Sequence, residues 1–209
     1  PSRRPRLRSI GDYVEDLASA VERVGGAPVL VGHSMGGLVV QRYLAQGGRA
    51  AAGVLLAPVP RNGVLRLVLQ VARRHPREFL EANLTWRLWP IVGTPALARE
   101  ALLPDAFGDE QVAAVHARLQ DESYLAFLGM LAPRVDASRI RVPMLVIGAG
   151  ADRLFTEGEM RDTARALGVD AEMVPGAAHD VMLDPAWERV ASRIVDWVEA
   201  GLPRARAVP

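Results

Sequence analysis

Residues 28–46 read Pro-Val-Leu-Val-Gly-His-Ser-Met-Gly-Gly-Leu-Val-Val-Gln-Arg-Tyr-Leu-Ala-Gln, and a strand, a turn and a helix follow one another in them without a gap. Pro28-Val29-Leu30-Val31-Gly32 is a short, β-rich apolar run bounded by Pro and Gly, the pattern of a strand buried on both faces. From about Met35 to Gln46 the pattern predicts a helix. The junction, Gly32-His33-Ser34-Met35-Gly36, matches G-x-S-x-G. Such a motif is weak alone, but after a strand and at the start of a helix it marks a sharp turn that exposes its serine.

Working outward, Ser9 and Asp12 resemble a capping pair, and Tyr13, Val14, Leu17, Val21 and Val24 then repeat at helical spacing up to Gly25-Gly26. Ala52 to Ala57 is a second buried strand, closed by Pro58 and Pro60. Met144 to Ile147 is a third and Val169 to Val174 a fourth, with helical patterns at Thr156–Leu167 and Trp187–Ala200. Strands that alternate with helices pair in parallel through right-handed crossovers, so the fold class is α/β.

Residues 61–136 break this rhythm. They contain helical patterns at Val64–Arg74, Pro76–Leu84, Pro95–Leu102 and Asp109–Leu131, and no convincing strand. The division expected is therefore an α/β core from 1–60 and 137–209 with a helical insertion at 61–136. Because ligands bind beyond the carboxyl ends of such strands, the insertion is expected to be a lid, made apolar by Phe79, Trp86, Trp89, Phe107 and Phe127. Pro203–Pro209 is expected to fray, and the opening Pro-Ser-Arg-Arg-Pro-Arg resembles a cut end with no signal-peptide pattern.

Composition narrows the chemistry. The sequence has no lysine, so every basic side chain other than histidine is arginine and a Schiff-base mechanism is excluded. Arginines alternate with acids along the chain at a formal charge of +1, which argues against a nucleic-acid partner. With no cysteine there is no disulfide, no Cys-ligated zinc and no thiol nucleophile, which suits a cytoplasmic location. The longest apolar stretches, such as Val64–Ala72, are interrupted by Arg66 and are far shorter than the ~20 residues that cross a bilayer.

Ser34 is the candidate nucleophile. At the apex of a strand-to-helix turn it must adopt strained backbone angles, and Gly32 and Gly36 are expected to lack β-carbons that would collide there. The start of the helix favours negative charge and aims the Met35 N–H at a developing oxyanion. Serine requires a base, and the sequence has four histidines. His33 is expected to point away from the attack direction, and His75 and His116 to sit on the surface of the insertion. His179, in the small-residue loop Pro175-Gly176-Ala177-Ala178-His179-Asp180 after the last strand, is the candidate base. Asp152, after Gly148-Ala149-Gly150-Ala151, is the best-placed acid to hold the histidine, with Glu157 and Asp180 as further candidates.

The stretches PVLVGHSMGG, GAGADRLFT and PGAAHDVML resemble the α/β-hydrolase superfamily, among its lipase, esterase and lysophospholipase-like members with a helical cap. The resemblance implies a serine hydrolase: Ser34 attacks an ester-type carbonyl, His179 passes the proton to the leaving group, and water releases the acid, with no metal or organic cofactor and a small apolar ester as partner. A serine at position 34, where related haloalkane dehalogenases and epoxide hydrolases have aspartate, argues against those chemistries. Haloperoxidase or perhydrolase side activity stays open. The resemblance also implies eight strands, of which the four found correspond to the last four. The loop expected to give the second oxyanion N–H is thus missing, and the strand at 28–32 is expected to be an exposed edge covered by a longer polypeptide or another chain. A catalytically silent binding module with this fold is the alternative.

Overall fold

A computed structural model describes residues 7–201; the opening hexapeptide and Pro203–Pro209 lie outside the described residues. Helix α1 (Ile10–Val24) opens on a capping box in which Ser9 accepts from the Asp12 N–H and Asp12 accepts from the Ser9 N–H. Strand β1 (Val29–His33) leads through Ser34 into α2 (Met35–Ala45), and β2 (Ala52–Leu56) follows. Helices α3 (Leu65–Arg74), α4 (Pro76–Thr85), α5 (Trp89–Val92), α6 (Pro95–Leu102), α7 (Asp109–His116) and α8 (Tyr124–Leu131) come next. The chain then returns through a 3₁₀ turn at Ala137–Arg139 to β3 (Met144–Ala149), α9 (Glu157–Ala166), β4 (Ala171–Val174) and α10 (Trp187–Gly201).

The four strands form one parallel sheet in the order β1-β2-β3-β4. Every residue of β2 and β3 is buried, so these strands are uninterrupted apolar runs, and alternate side chains feed opposite faces. Leu55, Met144 and Val146 pack with Ile10 and Val14 of α1, Leu38 of α2 and Met160 of α9. Val54, Leu56, Leu145 and Ile147 pack on the other face with Val190 of α10. β1 is an outer strand of the described sheet, and its Val31 is exposed. The strands run in the same direction, so the loops after β1, β3 and β4 all leave from the carboxyl edge, and these loops contain Ser34, Asp152 and His179.

Two features of the helical stretch differ from the sequence pattern. The run expected as one helix over Asp109–Leu131 is two, because Ser123 starts a new helix by accepting from the Ala126 N–H. Asp121, in the intervening segment, accepts from the Leu88 and Trp89 N–H groups and pairs with Arg87, which caps the unexpected single-turn α5. Among the described residues no helix is long and apolar enough to cross a membrane.

Candidate active site

The turn between β1 and α2 is tied to the end of β2. The Ser34 N–H donates to the Leu56 carbonyl at 3.0 Å, and the Ser34 carbonyl accepts from Val59 at 3.1 Å and from Gly37 at 3.0 Å. These bonds hold Ser34 at φ +51°, ψ −119°, a positive-φ conformation that costs a non-glycine residue on the order of 1–3 kcal/mol. Met35 opens α2, where the first N–H groups of a helix have no intrahelical partner.

The expectation for the flanking glycines holds at one position and fails at the other. A β-carbon on Gly32 would lie 2.5 Å from the Gly36 carbonyl oxygen and 2.8 Å from the Gly37 nitrogen, an overlap with backbone that cannot swing aside. At Gly36 an added β-carbon meets nothing within 4 Å. The crowded helical position is Gly37, whose added β-carbon would approach Pro58 Cβ to 2.7 Å. One residue of helix rotates by about 100°, which turns position 36 toward the cavity and position 37 onto the segment after β2. Gly32→Ala is therefore expected to destabilise by about 3 kcal/mol and lower Tm by roughly 6–12 °C, whereas Gly36→Ala leaves Tm unchanged or slightly raised. Thermal denaturation of the two variants checks this.

His179 lies on the loop after β4, and its ring links the other two candidates. Its Nε2 is 3.0 Å from Ser34 Oγ and its Nδ1 is 2.8 Å from Asp152 Oδ2. The His179 and Asp152 side chains are 2% and 1% exposed, so this is a dry pair. A buried carboxylate must be satisfied, and Asp152 is: its Oδ1 accepts from the Leu154 N–H at 2.7 Å and the Phe155 N–H at 3.1 Å while Oδ2 faces the imidazole. The Phe155 ring meets the His179 ring edge-on at 5.2 Å. The two loops are joined directly, the Ala151 N–H donating to the Ala177 carbonyl at 2.8 Å. Asp184, buried and passed over in the sequence, braces the histidine loop by accepting from the Ala178 and Ala186 N–H groups. Its signal was the Asp184-Pro185 pair, where an aspartate favours local backbone bonds.

The remaining candidates separate. Glu157 lies in the first turn of α9 and pairs with Arg161. His75 contacts Glu100 at 3.1 Å, and the His116 ring packs against that of Trp89. His33 departs most from expectation: it does not point away, but turns into the site with its ring centroid 4.8 Å from that of His179. Its Nε2 is 3.0 Å from the His179 carbonyl oxygen, which only accepts, so this nitrogen bears the proton. Burial, and then the neighbouring His179, push the His33 pKa down to about 4, so the ring is neutral near pH 7. Burial raises the Asp180 carboxyl, against the pull of His179. His33, His179 and Asp180 bring potential metal-ligand atoms within 4.8 Å of one another. Both ring nitrogens of His179 and the Nε2 of His33 are, however, already engaged in the hydrogen bonds above.

Ser34 and His179 open on a cavity of about 510 Å³. Its walls come from α3 (Leu67, Val68, Val71), α4 (Phe79, Ala82), α5 (Trp89, Ile91, Val92) and α8 (Phe127, Met130). Of the aromatic residues expected to line it, Phe79, Trp89 and Phe127 do so. Trp86 and Phe107 do not: Trp86 ends α4 in a left-handed conformation with its side chain largely outside, against Tyr124, and the Phe107 carbonyl receives Arg99 at the far end of α6.

A family model described as "Alpha/beta hydrolase family" matches residues 1–193. In structure the chain is similar to a thermophilic esterase from Thermogutta terrifontis, with 20% identity over 95% of this chain and 75% of that one, at a TM-score of 0.68. It is similar to a monoacylglycerol lipase from Paleococcus ferrophilus, with 22% identity over 96% and 78% and a TM-score of 0.61. A bromoperoxidase from Bacillus anthracis also matches, with 17% identity over 93% and 76% and a TM-score of 0.66. At these identities the likeness is one of fold. No protein of curated function matches the sequence.

Proposed function

The chain belongs to the alpha/beta hydrolase family, and from that premise we propose that it is a serine hydrolase cleaving a carboxylic ester or related acyl bond of an apolar substrate. The observation that supports this most strongly is the hydrogen-bonded series Asp152–His179–Ser34, set at the wall of an apolar cavity. In this reading His179 Nε2 takes the Ser34 proton as Oγ attacks the carbonyl carbon, and the Met35 N–H donates to the oxygen that becomes negative. Asp152 accepts the Nδ1–H, holds the productive tautomer and stabilises the imidazolium. Collapse of the tetrahedral adduct expels the alcohol, protonated by His179, and leaves an acyl group on Ser34. Water, deprotonated by the same imidazole, repeats the cycle and frees the acid.

The residues at 61–136 act in this proposal as a cap whose inner faces receive the acyl chain. Burying each methylene contributes about 0.8 kcal/mol, or roughly fourfold in kcat/KM. Across p-nitrophenyl esters of graded acyl length, kcat/KM is therefore expected to climb by about that factor per methylene until the cavity is filled, and then to fall. A flat profile would remove the assignment of the cavity to the acyl chain. Absence of turnover on every ester would favour the silent binding module.

A further inference from the structure

The sheet order separates the two reacting residues. Ser34 follows β1 and His179 follows β4, the outer strands on opposite sides of the described sheet. Adjacent strands lie about 4.8 Å apart, so the histidine loop must reach back across roughly 14 Å to meet the serine. The loop is anchored through Ala151 to Ala177, through Asp184 to Ala178, and through the Asp180 N–H to the Leu102 carbonyl of α6 at 3.1 Å. None of these anchors touches the β1–α2 turn.

Among the described residues one hydrogen bond ties that turn to the histidine loop besides the Ser34–His179 contact itself: His33 Nε2–H to the His179 carbonyl, at 3.0 Å. The residue before the serine thus grips the backbone of the base. The geometry points to His33 as a positioning residue that sets the distance between Ser34 Oγ and His179 Nε2; this rests on the serine-hydrolase reading above. Imidazole suits the task because it is flat, its Nε2–H projects far from the backbone, and it is neutral here. A cation beside His179 would oppose the imidazolium that forms when the serine proton is taken. The groups facing His33 are His179, Asp180, whose Oδ1 is 3.8 Å from Nε2, and Asp152 beyond the His179 ring.

The test compares His33→Phe, which keeps a flat ring and removes the donor, with His33→Gln, whose side-chain amide N–H restores a donor at similar reach. The rates of labelling by a fluorophosphonate probe and of ester turnover are measured with KM and Tm. Misplacing a reacting group by about 1 Å costs on the order of 100-fold. His33→Phe is thus expected to lower kcat and the labelling rate by about 10–100-fold at nearly constant KM and Tm, and His33→Gln to recover most of the loss. Wild-type rates in His33→Phe would overturn the inference, as would a loss that follows a fallen Tm and is not rescued by glutamine. Failure of the unaltered protein to label at Ser34 would instead defeat the hydrolase reading itself.

Discussion

Replacing Ser34 by alanine is expected to lower ester turnover by about 10⁵–10⁶-fold while leaving Tm within a few degrees of the unaltered protein. The size of the effect follows from what the hydroxyl does. Among the described residues Ser34 is the side chain hydrogen-bonded to His179 Nε2, so without Oγ the imidazole has no hydroxyl to activate except that of water. The small effect on stability follows from the way the turn is held. The bonds from Ser34 to Leu56, Val59 and Gly37 are all made by its backbone, and alanine retains them. Circular dichroism and kinetics on one preparation check both halves. A variant that still turns over within tenfold of the parent would remove Ser34 from the mechanism.

The second large effect is expected at Asp152→Asn, about 10⁴-fold in kcat with binding and fold preserved. Asparagine is nearly isosteric, and its amide oxygen can go on accepting from the Leu154 and Phe155 N–H groups. Its NH₂ would then face His179 Nδ1, where Asp152 Oδ2 now stands. The imidazole must answer with a lone pair at Nδ1, which moves its proton to Nε2, the atom that has to receive the Ser34 proton. The base is thereby locked in the wrong tautomer without being displaced. Because the pair is dry, water cannot readily substitute for the lost carboxylate. Steady-state kinetics expect the fall in kcat with little change in KM; a variant within tenfold of the parent would remove Asp152 from the mechanism.

The sheet could be read from the sequence because its inner strands are buried on both faces, and AGVLL and MLVIG can hardly be anything else. The meeting of Ser34, Asp152 and His179 was legible for a related reason: each lies within a few residues of a strand end, and the parallel topology brings those ends to one edge. What escaped depends on contacts distant in sequence. The extra helix at Trp89–Val92 is set by Asp121 reaching back to Leu88, and apolar periodicity reports nothing of that. The inward turn of His33 depends on a carbonyl 146 residues away. The glycine error was one of angle: the motif names positions 32 and 36, but the helix turns position 37 against Pro58.

The central claim is that Ser34 is an activated nucleophile, and one measurement reaches it directly. The whole chain is incubated with a fluorophosphonate, digested and mapped by mass spectrometry. The phosphonyl adduct is expected on the peptide containing Gly32-His33-Ser34-Met35-Gly36, on Ser34 alone, and is expected to be lost in Ser34→Ala. A folded protein that takes no adduct, or takes it on another residue, would contradict the account.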